Sequence, residues 1–216
     1  MVFDGLLRKF ERGPIRAIGF ADDGLLIIRG KFLNVLVDAM NKALKDVINW
    51  GKSCGLNFSA EKTNVIAFTQ KRIKNEMEKH KVKIDGKTID YSDEATYLGV
   101  TLDKRLTWTK HIKNKVSKGK RLLFSIKRYL GKIWGPKPSI MLWLYKAVVR
   151  PAITYGALCW ADATKKKTVK QELSKLQRLA LCGTLHVKRS TPGSAVEVLL
   201  DVPPLHLYIE EVAQKA

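Results

Sequence analysis

The hydrophobic pattern of this chain changes character at Thr107, and that change constrains the fold more than any other feature. Before it, apolar residues come in short runs. Ile15 to Ile18 and Leu25 to Ile28 flank Gly19-Phe20-Ala21-Asp22-Asp23-Gly24, and paired runs across an Asp-Gly turn signal a β-hairpin. Asn64 to Phe68 reads as a strand through Val65, Ile66 and Phe68. Val82 to Ile89, broken at Asp85-Gly86, reads as a second small hairpin, and Tyr97 to Leu102 as a further strand. Among them lies a helical stripe of Phe32, Leu36, Met40, Leu44, Val47 and Ile48, punctuated by Gly51 and Gly55.

From Thr107 the spacing is helical throughout. Trp108, Ile112, Val116, Leu123, Ile126 and Leu130 share one face, with Thr107 as N-cap and Gly131 as stop. Pro136 and Pro138 open a second helix through Met141, Leu144, Tyr145 and Val148, closed or kinked by Pro151. An apolar segment from Ile153 to Trp160 follows, then a basic helix from Thr168 to Leu181. Two short helices, Pro192 to Leu200 and Leu205 to Val212, complete the order. The pattern predicts the α+β class, with a mixed part first and an all-helical part second.

Charge follows the same division. The 216 residues hold 40 Lys and Arg against 20 acids, a formal net charge of +20. From Lys104 to Arg189 there are 22 cations and two acids, Asp162 and Glu172, while the rest of the chain balances at 18 of each. A solvated helical surface usually mixes its signs. One-sided charge along successive helices reads as a docking surface for a nucleic-acid backbone, where cations gain free energy by releasing counterions from phosphates. The candidates are Lys113, Lys115, Lys118, Lys120, Arg121, Lys127, Arg128 and Lys132. A chance bias of a soluble face is the plainer alternative.

Other classes are disfavoured. No segment reaches the length of a membrane span, and no amphipathic anchor or lipidation signal accompanies the charge. Cys54, Cys159 and Cys182 are odd in number and far apart, so neither a disulfide framework nor a zinc pattern follows. A reducing, intracellular compartment is expected, nucleus or cytoplasm, and the first residues lack a signal peptide's apolar stretch.

Asp22 and Asp23 are the candidate metal ligands. Adjacent carboxylates at a hairpin tip suit Mg²⁺, a hard cation that takes oxygen ligands and keeps positions for phosphate and water. Two-metal phosphoryl transfer uses such carboxylates to hold one ion at the attacking oxygen and one at the leaving group. Asp-Asp-Gly is also ordinary turn chemistry, and most such turns bind nothing. The tetrapeptide by itself does not decide.

Its neighbours along the chain do. Gly19-Phe20-Ala21-Asp22-Asp23 followed by an apolar run resembles the [FY]ADD box of reverse transcriptases. Trp50, Gly55-Leu56 and Lys62-Thr63, leading into Val65-Ile66-Ala67-Phe68, resemble the next palm motif. Tyr97-Leu98-Gly99-Val100, with Leu102-Asp103, Leu106, Trp108 and His111, resembles the primer-grip turn and the entry to the thumb. The run YLGVTLDKRLTWTKHI resembles jockey-like, non-LTR (LINE-type) retrotransposons more than retroviral enzymes, telomerase or group II intron proteins. Tyr145, Pro151, Tyr155-Gly156, Trp160, Leu176-Gln177-Arg178, Thr191-Pro192 and Pro204-Leu205 resemble the helical segment after the polymerase in those elements.

The resemblance implies a fold and a set of roles. Residues 1–103 would be a partial palm, 104–189 a basic thumb-like region and 190–216 a truncated C-terminal connection segment. Asp22 and Asp23 would hold catalytic Mg²⁺, with Asp22 the direct ligand. Lys62 would sit near the nucleotide phosphates or give a proton to the leaving pyrophosphate, although a solvated lysine before a strand reads equally well. Leu98, Gly99 and Val100 would form the primer grip. Trp108 could stack on a base, but its spacing with Ile112 and Val116 assigns it to the core. RNA template and DNA primer would be the partners, with a dNTP in a complete enzyme.

Two departures bear on activity. A complete palm supplies a third carboxylate from an earlier strand, whereas only Asp4 and Glu11 precede Asp22, and neither lies in that motif. Met1 to Leu7 resembles the helix after the fingers-to-palm motif, and Tyr208-Ile209-Glu210-Glu211 looks like part of a continuing helix. The expectation is therefore a fragment of an RNA-directed DNA polymerase, inactive in isolation, with its upstream fingers and palm half elsewhere. A non-enzymatic basic nucleic-acid-binding module and a decayed element remnant are the competing readings.

Overall fold

The computed structural model describes residues 4–71, 73–128, 136–188 and 190–216, without the side chains of Lys74 and Lys127. The chain divides into two compact units, Met1–Ala95 and Thr96–Ala216.

In the first unit, α1 (Asp4–Phe10) precedes an antiparallel hairpin of β1 (Ile15–Phe20) and β2 (Asp23–Ile28). The register runs from Ile15 opposite Ile28 to Phe20 opposite Asp23, leaving Ala21-Asp22 as a two-residue turn. Period-two alternation separates the faces. Ile15, Ala17, Leu26 and Ile28 lie on the inner one, whereas Arg16, Ile18, Phe20 and Ile27 are exposed on the outer one. Helix α2 (Leu33–Ser53) buries Val37, Ala43, Val47 and Trp50. Leu6, Val47 and Trp50 form a small cluster, with Phe10, Leu26 and Phe58 packed against it. Of the helical stripe expected from Phe32, Val47 is buried and Leu36, Met40, Leu44 and Ile48 are half-buried, whereas Phe32 lies outside the helix and is exposed.

The second hairpin, β3 (Val82–Ile84) and β4 (Lys87–Ile89), docks on α2 through Asn41. The Asn41 amide accepts from the Lys83 amide at 2.8 Å and donates to the Lys81 carbonyl at 3.4 Å. The expected strand at Asn64 to Phe68 does not form. Only Val65 pairs, as an isolated parallel bridge to Tyr91, because no neighbouring strand offers a ladder beyond that point. A 3₁₀ turn, Ala60–Lys62, and a short helix, α3 (Lys74–Lys79), occupy the flanks.

The second unit begins inside β5 (Glu94–Tyr97), which forms a hairpin with β6 (Val100–Asp103). The single strand expected from Tyr97 to Leu102 is therefore bent back at Leu98-Gly99. Both residues have positive φ, 46° and 75°, the signature of a tight two-residue turn. Helix α4 (Thr109–Arg128) starts later than Thr107, and Trp108 supplies the first carbonyl, accepting from the Ile112 amide at 2.9 Å. The expected face continues through Ile126; Leu130 and the stop at Gly131 lie outside the described residues.

Pro151 does not close its helix. Helix α5 (Pro138–Leu144) passes through a π-helical turn, Tyr145–Val149, straight into α6 (Arg150–Thr154). Proline interrupts a regular α-ladder by removing a donor and crowding the carbonyl four residues back. A π turn widens the helix and shifts its bonding, as in the Arg150 amide to Tyr145 carbonyl contact, so the run continues. Tyr145, Val149 and Ile153 all reach the core this way. The break comes instead at Tyr155-Gly156, before α7 (Ala157–Trp160) and a 3₁₀ turn, Ala161–Lys165. Helices α8 (Lys167–Leu185), α9 (Gly193–Leu199) and α10 (Leu205–Gln214) follow.

One continuous core joins these helices, with Trp160, Leu173, Leu176, Leu181, Val196, Leu205 and Ile209 fully buried. At Gly119, a β-carbon would stand 3.0 Å from side-chain carbons of both Ile153 and Leu176, so α4 meets α6 and α8 where it has no side chain. Tyr145 and Gln177 carry their polar atoms into this core as a paired set: Tyr145 Oη donates to Gln177 Oε1 at 2.8 Å, and Gln177 Nε2 donates to Glu197 and to the Pro203 carbonyl. Among the described residues, no helix is long and apolar enough to cross a membrane.

Candidate functional site

The most elaborate local structure surrounds the Leu98-Gly99 turn. Three anchors fix the β5–β6 hairpin to the helices. At its tip, Tyr155 Oη donates to the Leu98 carbonyl at 2.9 Å. At its middle, the Thr101 amide donates to Nδ1 of His111, at 3.1 Å on α4. At its base, the Asp103 carboxylate accepts from the amides of Arg105, Thr107 and Trp108 and from the Thr107 hydroxyl, all between 3.0 and 3.1 Å. Burial acts to raise the Asp103 pKa, but these donors outweigh it and hold the carboxyl below its usual range. They also sustain positive φ at Leu106 and Trp108, so the chain turns sharply from strand into helix.

His111 is almost completely buried, flanked by Trp108 edge-on and by Trp160. Burial, and then the charge of Lys115, lower its pKa to about 4, so the ring is neutral at pH 7. Trp108 packs against the core of this unit, as its spacing indicates.

The cations of α4 divide by face. Lys113, Lys118, Arg121 and Arg128 are exposed and Lys120 is half-exposed. Lys115 is not on that surface. It is buried, with its ammonium 4.5 Å from the centre of the Tyr155 ring, and burial together with Lys118 pulls its pKa down. One turn beyond His111, it falls on the hairpin-facing side, which composition cannot distinguish from the solvent side. Lys132 and the side chain of Lys127 lie outside the described residues. Helical spacing puts Lys113, Lys120, Arg121 and Arg128 within one broad face, together with Phe124, whose side chain is half-exposed. Phe124 was not evident from the sequence because it lies beside the buried Leu123 in an apolar pair.

In the other unit, Asp22 occupies the β1–β2 turn and Asp23 starts β2, both exposed. Ala21 carries a positive φ of 53° to make that turn. Lys62 is exposed at the end of its 3₁₀ turn, which packs on β4. Among the described residues, no group of three or more His, Cys, Asp or Glu side chains could hold a metal ion. Two exposed carboxylates fall short of the oxygen set that fixes a divalent cation, so the described residues do not by themselves make a complete magnesium centre.

Hairpins on an α+β unit, followed by a helical unit with a one-sided cationic face, define a class of chain rather than a particular one. Comparison with known proteins supplies the rest. The chain is 25% identical over 219 residues to the retrovirus-related Pol polyprotein of type-1 retrotransposable element R1 of Nasonia vitripennis, covering 96% of this chain and 62% of that protein. It is 27% identical to a putative 115 kDa protein in element R1DM of Drosophila melanogaster, over 100% of this chain and 21% of that protein. The RNA-directed DNA polymerase from mobile element jockey of the same fly is 23% identical, over 91% of this chain and 21% of the other. Its homologues are thus polyproteins and RNA-directed DNA polymerases of non-LTR retrotransposons, and the chain spans between about a fifth and three-fifths of their lengths. No protein-family model matches the chain. No solved structure matches it significantly.

Proposed function

We propose that this chain is part of an RNA-directed DNA polymerase of a non-LTR retrotransposon, and that its Thr96–Ala216 unit holds the primer–template. The observation that carries this reading is the direct passage from the anchored Leu98-Gly99 turn, through Asp103, into the cationic face of α4. A backbone turn can approach a strand end closely, and the helix behind it supplies charge for the phosphates. Phosphate contacts of this kind position a duplex without reading its sequence, which suits an enzyme that must copy any template.

On the same reading, Asp22 and Asp23 contribute carboxylates to the magnesium chemistry of the whole polymerase and Lys62 lies on its nucleotide side. The ordered resemblance of the FADD turn, the lysine motif and the grip turn supports these roles. Asp22 in its turn, Asp23 at the first position of β2 and Lys62 at the end of its 3₁₀ turn are all exposed, which is compatible with ligands contributed from outside the unit.

Titration with a labelled RNA-template/DNA-primer hybrid over a series of salt concentrations tests the proposal. Log affinity should fall linearly with log salt, by about 0.9 for each phosphate neutralised. Changing Lys113, Lys120, Arg121 and Arg128 together to alanine should reduce that slope by about 3 to 4, whereas Asp22→Asn should leave it unchanged. Affinity that ignores salt would overturn the reading.

A further inference from the structure

We infer that Tyr155 is a positioning residue for the Leu98-Gly99 turn, and that the Lys115 ammonium holds the tyrosine ring in place for it. This rests on the reading of that turn as the contact for a primer strand end. Tyr155 is more than half exposed, so its ring is not in place to fill the core. Instead its hydroxyl crosses 57 residues of sequence to reach the Leu98 carbonyl at the apex of the hairpin. Three further contacts converge on it. A β-carbon on Gly99 would stand 3.4 Å from Tyr155 Cε1, so the second turn residue lies directly on the ring edge. The Lys115 ammonium stands over the ring face at 4.5 Å, and the Trp160 indole donates to the Tyr155 carbonyl at 3.3 Å. The adjoining Gly156 takes φ of 69° and would place a β-carbon 3.1 Å from Val100 Cγ2. The helix break therefore brings the backbone against the strand that leaves the turn.

Each partner has a distinct task. His111 and Asp103 secure the middle and base of the hairpin from buried or half-buried positions, where their loss would damage the fold. Tyr155 secures the exposed apex, where the backbone must be presented in one position to be useful. A hydroxyl on an exposed turn carbonyl contributes modestly to stability but removes the freedom of that carbonyl to swing toward water. The cation over the ring face adds a second restraint, stronger than at the open surface because Lys115 is itself largely desolvated.

The test uses the full chain and two labelled RNA/DNA hybrids of equal length, one with a recessed DNA 3′ end and one blunt. The unmodified chain should prefer the recessed end. Tyr155→Phe should weaken recessed-end binding by about three- to tenfold, leave blunt-hybrid affinity unchanged, and speed hydrogen exchange at the Gly99 and Val100 amides. Lys115→Met should act in the same direction, and Lys115→Arg should restore the preference; these variants keep the test usable if Tyr155→Phe folds poorly. A preference retained in both Tyr155→Phe and Lys115→Met would overturn the positioning role while the primer-contact reading stands. No preference in the unmodified chain would overturn that reading as well.

Discussion

His111 is the residue whose chemistry is most changed by its surroundings. Its Nδ1 accepts from the Thr101 amide and so carries no proton, and the ring sits between two tryptophans. Burial first, and the Lys115 charge second, depress its pKa from 6.5 to about 4. The sign of the linkage follows. Below about pH 6.5 the unfolded chain takes up a proton that the folded chain refuses, so the stability present above that pH is lost progressively down to about pH 4. The loss approaches ~1.4 kcal/mol per pH unit within the window. His111→Asn, which keeps an acceptor near Nδ1 but cannot titrate, should be less stable at pH 7 and flatter between pH 6.5 and 4. Urea melts at several pH values would show it; parallel slopes for the two proteins would refute the assignment.

At the scale of elements, the tight turns show what a sequence discloses. Asp85-Gly86 is legible because both residues tolerate positive φ, and the hairpin formed as expected. Leu98-Gly99 was hidden from the apolar pattern, since leucine rarely takes positive φ, and it was the family resemblance that marked it as a turn; in the fold Tyr155 bonds its apex and His111 the strand that leaves it. Pro151 misled for the converse reason: the rule that proline ends a helix assumes an α-ladder, and the π turn before it supplies another. The cationic character of α4 was plain, but the inward direction of Lys115 depended on partners far along the chain. Glycine separates these effects experimentally. Gly86→Ala meets open space and should cost only the backbone strain of φ 79°, roughly 1–2 kcal/mol. Gly156→Ala adds the clash with Val100 to a similar strain and should cost more. Equal losses in denaturant melts would show that the Gly156–Val100 contact can relax freely.

At the scale of the whole molecule, the net charge of +20 is concentrated in one stretch, with 22 cations and two acids between Lys104 and Arg189. All of that stretch lies within the Thr96–Ala216 unit, whose core is continuous from α4 to α10. Polyanion affinity should therefore reside in a body that is also well packed, a favourable arrangement because a rigid cationic face loses less entropy on docking than a mobile one. The acidic turn stands on a much smaller packed cluster, built around Leu6, Val47 and Trp50.

The 20-residue run of α4, held at one end by Asp103 and against its neighbours at Gly119, also has the properties of a ruler. With a rise of about 1.5 Å per residue, Lys113 and Arg128 are separated by roughly 22 Å along the axis. At about 3.4 Å per nucleotide of one strand, that distance spans six to seven phosphates. Shortening the hybrid in single base-pair steps should leave affinity nearly level until the duplex falls below about that length, then reduce it with each further pair removed. A smooth decline beginning at much longer duplexes would mean that the cations act as a diffuse cloud and that α4 sets no length.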